Sequence, residues 1–263
     1  MEPRHRLYVS SKWEKHSALM NELLLKDALP RMERLSLQSL RDLLEEFDTV
    51  YVKPEHGMGG RGVMKVSRSN KQLTLDQQGY PVRNFSTLQA LYRVIRHRKR
   101  GRRYVAQQGI ELIRNGDRLI DFRVLLMKPG SVWHCMGAMG KMAPPAQITT
   151  NRTRGGEPIT VRHALATATD FDEDRIEKIE YELIAISRHV AGALSESYPG
   201  LRCLGLDLAV DQDGKVWLLE ANTAPGVQLF KHHENDKLYA KISHFRRKIN
   251  SRRRRRPNSK KKI

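Results

Sequence analysis

The stretch Leu204–Gly226, LGLDLAVDQDGKVWLLEANTAPG, constrains this chain more than any other. An alternating run breaks at Asp211-Gln-Asp-Gly214 and is followed by a second alternating run, the pattern of a β-hairpin. Side chains alternate faces along a strand, so Asp207 faces away from Leu206 and Leu208. Glu220 and Asn222 share one face of the second run, with Trp217 and Leu219 on the other. A turn centred on Gln212-Asp213 sets Asp207 beside Leu218 and Glu220 one diagonal step away, roughly 7–8 Å between backbones. Two carboxylates at that spacing can converge on one cation. Asp, Glu and Asn offer hard oxygen ligands, the set suited to magnesium holding phosphates. A surface hairpin with scattered polar residues is the plainer alternative, but Glu220 interrupts the apolar run WLLEA, where an exposed charge is not expected.

The 263 residues are enough to bury a sizeable core in one larger domain or two lobes of one unit. Cys135 and Cys203 stand far apart with no metal-ligand spacing, which suits a reducing compartment with both as small buried hydrophobes. The opening MEPRHRLYVSSKWEKH is too polar for a signal peptide, and no run of 18 apolar residues predicts a transmembrane segment. The net charge of +19 is uneven. Residues 241–263 hold twelve Lys or Arg and no acid, and a second basic cluster spans Arg96–Arg103. Like-charge blocks repel themselves and stay solvated. Residues 241–263 therefore read as a basic, disordered tail, either purely solubilising or adhering to a polyanion or an anionic surface. The arginines have no interleaved aromatic residues, which argues against base stacking.

Residues 1–48 read as helical. Ser11-Lys-Trp-Glu14 has capping-box spacing, and Trp13, Ser17, Met20 and Leu24 follow at helical intervals up to Pro30. Ser36 can cap a second helix with Leu37, Leu40, Leu44 and Phe47 on one face. Strands are expected at Val50–Lys53, Val63–Val66 and Tyr104–Gln107, with a helix over Ser86–His97. Phe122–Met127 and Val132–Ala138 pair across Lys128-Pro-Gly130, and Asn151–Thr160 is a loop. Glu173–Ser197 is the clearest helix, with Ile176, Ile179, Leu183, Ile186 and Val190 as its apolar stripe and acids in its first turn. His232-His233-Glu234 invites a metal assignment, though such residues in a polar exit segment are usually solvated.

Tyr51-Val-Lys-Pro-Glu-His-Gly-Met-Gly-Gly-Arg-Gly-Val63 places a lysine at a strand end and four glycines before the next strand. Glycines let backbone amides curl around phosphate oxygens, and Lys53 adds a point charge for the same anion. No Gly-Lys-Ser/Thr follows, so this is not a P-loop. After this loop come Tyr104–Ile110 (YVAQQGI), Asp121-Phe-Arg123, Asn151–Gly156, and finally Asp207 and Glu220-x-Asn222. This serial order, over roughly residues 10–230, resembles the ATP-grasp superfamily. The phrases SKWEKHSALMNELLLKDALP, YVKPEHGMGGRGV, VAQQGIEL, DFRVLL and WLLEANTAPG resemble its YheC/YheD-like endospore coat-associated group. More distantly, the chain is similar to the glutamate ligases that modify ribosomal protein tails.

The resemblance implies an α+β ATP-grasp fold, two α/β lobes clasping ATP, without a full N-terminal pre-ATP-grasp domain. The small lobe would span 49–110 with its glycine-rich lid, and the large lobe 111–240 with the magnesium site. Lys53 would contact the nucleotide phosphates, under a lid of Gly57, Gly59, Gly60, Arg61 and Gly62. Gln107, Gln108 and Ile110 would form the hinge near adenine. Lys12 resembles the family's earlier lysine, with Lys15 as a rival by alignment slip. Arg123 would stabilise the transferred phosphoryl group with help from Lys141, which stands where relatives more often show arginine. Asn151 and Arg154 would position an acceptor. Asp207, Glu220 and Asn222 would bind Mg2+, or Mn2+ in its place. The implied activity is carboxylate–amine or carboxylate–thiol ligation through an acyl phosphate, with ATP and unidentified carboxylate and amine substrates as partners. The implied location is cytoplasmic and spore-associated, with the basic tail against a polyanion or the spore coat surface. A nucleotide-binding coat or assembly protein without turnover, and a nucleic-acid-binding protein, are the competing expectations.

Overall fold

A computed structural model describes residues 6–70, 72–145, 147 and 156–255, with backbone only for 252–255. The chain forms two antiparallel sheets. The first runs in the order β1 (Met32–Arg34), β6 (Tyr104–Gln108), β2 (Thr49–Pro54), β3 (Met64–Ser69), β4 (Gln72–Asp76), β5 (Arg83–Phe85). Two helices, α2 (Leu37–Glu46) and α3 (Leu88–Lys99), cover one face of it. Leu40, Leu43, Leu91 and Ile95 from the helices meet Val50, Val52, Met64 and Val66 from the strands. Period-two alternation leaves Tyr51, Lys53, Val105 and Gln107 on the other face, with Tyr51 opposite Gln107 and Lys53 opposite Val105.

The second sheet runs in the order β10 (Glu157–Ile159), β9 (His134–Met142), β8 (Arg118–Met127), β11 (Cys203–Val210), β12 (Val216–Asn222), with the short β7 (Arg114–Asn115) on β8. The even residues of β8 and β11, from Ile120 to Leu126 and Leu204 to Val210, enter the main core. There they meet α5 (Glu173–Ser197), α4 (Val161–Ala168) and Leu19 of α1 (Lys12–Leu19). Fully burying such an aliphatic side chain is worth about 1.5–3 kcal/mol. The Asp172 side chain caps α5 through the Arg175 amide at 2.8 Å, and Glu173 and Asp174 complement the helix dipole. Of the odd residues of the same strands, Asp121, Arg123 and Asp207 carry the polar cluster described below, whereas Leu125 and Met127 lie under the C-terminal helix.

Three expectations from sequence change. First, residues 1–48 are not only helical: β1 adds an edge strand opposite Val105–Gln107. Second, α1 buries Lys12, Lys15, His16 and Leu19, while Met20 and Leu24 are 51% and 73% exposed. The face chosen by apolar periodicity is the outer one, because the inner face serves charges. Third, residues 241–255 are not a disordered tail but belong to α6 (Asp236–Arg255). Leu238, Ile242 and Ile249 form a stripe that packs, with Phe245 beside it, on Leu125, Met127, Met136 and Met139, leaving Lys241, Arg246, Arg247 and Lys248 outside. Among the described residues, no helix is long and apolar enough to cross a membrane.

Candidate functional site

The cleft face of the second sheet carries a compact set of charges. Asp207 on β11 lies directly opposite Arg123 on β8, and Asp121 on β8 opposite Lys141 on β9. Arg123 donates to both oxygens of Asp207, Nε to Oδ1 and Nη2 to Oδ2, each at 2.9 Å. This two-pronged geometry is the strong form of a charge-assisted hydrogen bond. Lys141 Nζ reaches Asp207 Oδ1 at 2.8 Å and Asp121 Oδ1 at 2.9 Å, and Asn222 Nδ2 donates to Asp207 Oδ2 at 2.8 Å. Burial alone would raise the Asp207 carboxyl, but the Arg123 and Lys141 charges outweigh it and push it down to about 2. Burial would lower Lys141, yet Asp121 and Asp207 carry it above the ordinary lysine value.

A β-bulge brings Glu220 to this cluster. Leu208 pairs with Leu218, but Asp207 pairs with Glu220, so Leu219 is the extra residue on β12. The expected register, Asp207 beside Leu218, is therefore off by two residues: one because Leu208 meets Leu218, and one from the bulge. Strict alternation from Val216 and Leu218, both in the main core, would send Glu220 inward with them. The bulge turns it to the cleft instead, across from Asp207, while Leu219 packs toward Ile110, Leu112 and Ala209. Asn222 follows opposite Gly205. Asp207, Glu220 and Asn222 thus share one face, as a divalent cation would require. Their hard oxygen donors fit magnesium, the acceptor oxygen of Asn222 included.

The first sheet and α1 close over this face. The Ser11 side chain caps α1 through the Glu14 amide at 3.0 Å and also donates to Glu55 Oε1 at 2.6 Å, docking the helix against the end of β2. Lys12 Nζ then donates to the Gly57 carbonyl at 3.0 Å and pairs with Glu220 Oε1 at 3.2 Å. Of the two lysines that the sequence offers for the family's earlier lysine, Lys12 touches both the glycine-rich loop and Glu220, whereas Lys15 touches neither. Lys53 donates to Gln107 Oε1, and Gln107 Nε2 donates to the Leu219 carbonyl at 3.3 Å, bridging the two sheets. Burial lowers Lys53 to about 8, against the attraction of Glu220. In the glycine-rich loop, Gly57, Gly59, Gly60 and Gly62 have φ of +141°, +73°, +67° and +77°, values that L side chains rarely adopt. Arg61 is exposed among them.

Not every expected residue converges. Gln108 turns away from the cleft: its Oε1 accepts from the Arg31 amide at 3.0 Å, beside β1. Ile110 joins the apolar patch with Leu112, Leu119 and Ala209 at the hinge end of the cleft. Asn151 and Arg154 lie outside the described residues. Cys135 and Cys203 are free thiols and half-buried. Among the described residues, no group of three or more His, Cys, Asp or Glu gathers as a metal site, which removes His232-His233-Glu234 from consideration. Sequence reading missed Asp121 as the partner of Lys141 and missed His16, which lines the cavity between α1, β6 and β12 together with Lys12 and its rival Lys15. The spacing of His16 from Lys12, i+4 on one helix, was the available signal.

Comparison with known proteins bears on the same elements. The chain is 29% identical over 229 residues to "Endospore coat-associated protein YheD" of Bacillus subtilis (strain 168), covering 84% of this chain and 49% of that protein. It is 22% identical over 224 residues to "Endospore coat-associated protein YheC" of the same organism, covering 82% and 60%. It spans about half the length of these curated relatives. Among solved structures it is similar to D-alanyl-alanine synthetase A from Vibrio cholerae O1 biovar eltor str. N16961, with TM-score 0.54, 11% identity, and 92% and 65% of the two chains covered. The D-cycloserine synthetase DcsG gives TM-score 0.53, 18% identity, and 91% and 70% coverage. The ATP-grasp ligase PsnB, solved with a phosphomimetic variant of its minimal precursor, Mg and ADP, gives TM-score 0.50, 15% identity, and 91% and 58% coverage. The fold is that of the ATP-grasp ligases, and residues 6–246 match the family described as YheC/D like ATP-grasp, to which this chain belongs.

Proposed function

We propose that this chain binds Mg-ATP in the cleft between its two sheets and uses it to activate a carboxylate for attack by an amine or thiol. The observation that carries the proposal is the convergence of Asp207, Glu220 and Asn222 with Arg123, Lys141, Lys12 and Lys53 on one cleft. Asp207, Glu220 and Asn222 would hold magnesium, which when bound neutralises charge on the nucleotide phosphates. Lys12 and Lys53 would hold phosphate oxygens, with the glycine-rich lid closing over them. Arg123 and Lys141 would face the charge that develops as a phosphoryl group moves, and stabilising that charge accounts for most of the catalysis in such transfers. A carboxylate oxygen bonds to the γ-phosphorus as its bond to the bridging oxygen breaks, releasing ADP and leaving an acyl phosphate. The amine or thiol then bonds to the acyl carbon, inorganic phosphate leaves, and the proton of the amine or thiol passes to solvent. The solved relative PsnB contains Mg and ADP, which supports the nucleotide part of this assignment.

The test is ADP release by the full chain across a panel of amino acids, peptides and other carboxylates with amine or thiol acceptors. Substrate-dependent ADP release supports the ligase assignment. Binding of Mg-ATP with no release across the panel supports a second reading, a nucleotide-binding protein of the spore coat. The names of the curated relatives favour that reading. The outward row of basic residues on α6 would serve either protein by holding a polyanionic surface.

A further inference from the structure

The cavity between α1, β6 and β12 is lined on its polar side by Lys12, Lys15, Lys53, Gln107 and Glu220. Two of the three lysines are committed: Lys12 to Gly57 and Glu220, Lys53 to Gln107. Lys15 is not. It is 5% exposed, yet among the described residues its ammonium makes no hydrogen bond or ion pair, and it senses Glu220 and Asp207 only through space. The ammonium keeps only slight access to water, and one so far withdrawn without a partner costs stability. Burial accordingly pushes Lys15 down to about 8, against Glu220 and Asp207 and together with Lys12. The neighbouring His16, also buried, is held down to about 4 and is neutral at neutral pH. Three lysines thus face one glutamate, and what the cavity lacks is an anion. A buried side chain that weakens the free fold is expected where a ligand completes it.

We propose that Lys15 is a third phosphate-binding lysine of the nucleotide site, whose missing partner is a phosphate oxygen of the bound nucleotide. It lies one helical turn past Lys12 on the same buried face of α1, so both ammonium groups serve the cavity that also holds Lys53. This assignment rests on the Mg-ATP reading above.

The test titrates the full chain and its Lys15→Met variant with Mg-AMPPNP, Mg-ADP and adenosine by calorimetry, and follows thermal unfolding without ligand. Lys15→Met is expected to weaken both phosphate-bearing ligands by about 10- to 100-fold, to leave adenosine binding unchanged, and to raise the Tm of the free protein. Lys15→Arg is expected to keep most of the phosphate affinity. Should Lys15→Met not fold, Lys15→Gln carries the same comparison. An unchanged affinity for Mg-AMPPNP, or an equal loss for adenosine, makes Lys15 a packing residue and overturns the proposal alone. Failure of the unmodified chain to bind either nucleotide overturns the Mg-ATP reading and this assignment with it.

Discussion

Arg123 on β8 grips Asp207 on β11 through two parallel hydrogen bonds of 2.9 Å, and Lys141 and Asn222 take up the rest of that carboxylate. In the free protein a divalent cation must therefore compete with fixed internal cations for Asp207, and with Lys12 for Glu220. On the proposed function a bound nucleotide would change the balance, because its phosphates would draw on the same arginine and lysines. Mn2+ alone is expected to bind weakly, and an added non-hydrolysable ATP analogue to strengthen its binding at least about tenfold, roughly 1.4 kcal/mol. Electron paramagnetic resonance of the free metal measures both states. Tight Mn2+ binding without nucleotide would contradict the competition.

Glu220→Ala removes one carboxylate of the proposed metal set and leaves Lys12 with only the Gly57 carbonyl. Magnesium-dependent binding of AMPPNP is expected to vanish, whereas magnesium-independent binding persists. Calorimetry with and without EDTA separates the two. Persistence of the magnesium-dependent component in the variant would remove Glu220 from the set.

Gly205 shows how closely the cluster is packed. A Cβ at this position would stand 2.5 Å from Pro225 Cβ and 3.1 Å from Arg123 Nη1. Gly205→Ala must shift the Pro225 loop or the guanidinium, a form of overpacking that costs about 1–3 kcal/mol. Denaturant unfolding should show this loss, together with weaker AMPPNP binding. A variant as stable as the parent would mean that the loop gives way freely.

His16 predicts the direction of acid sensitivity. Burial holds its imidazole at about 4 in the folded chain, against 6.5 ordinarily. Between those values the unfolded chain takes up a proton that the folded chain refuses, so stability falls as pH drops from 6.5 to about 4. The contribution of this one group is roughly 3 kcal/mol over the window. His16→Leu is expected to flatten the profile there, read as the denaturation midpoint against pH. Asp207 acts lower, its stabilisation fading as pH falls from 3.8 toward about 2.

What sequence made legible, and what it hid, follows from where charge sits. Helix α5 matches its apolar stripe and acidic start, because a solvated helix packed on a core leaves both marks. The grouping of Asp207 with Glu220 was also legible, although by a register that the bulge at Leu219 replaces. Alternation cannot show a bulge, since one extra residue leaves the apolar pattern nearly intact on each side. In α1 the apolar periodicity marks one face, and the buried face holds Lys12, Lys15 and His16, which a rule of hydrophobic burial rejects. The three-residue β1 is too short to announce itself by alternation. In α6 the stripe of Leu238, Ile242 and Ile249 is diluted by so many basic residues that composition outweighed period.

That last helix alters how the charge of this protein can be probed. Truncation before Lys241 would seem to trim a dispensable basic extension. It would instead strip Ile242, Phe245 and Ile249 from β8 and β9 and leave Leu125, Met127, Met136 and Met139 open to water. The cut chain would lose solubility along with its basic residues, so a change in polyanion binding could not be assigned to charge. Charge has to be removed in place, by glutamine at Lys241, Arg246, Arg247 and Lys248, so that the apolar seam stays sealed while the outward row falls silent.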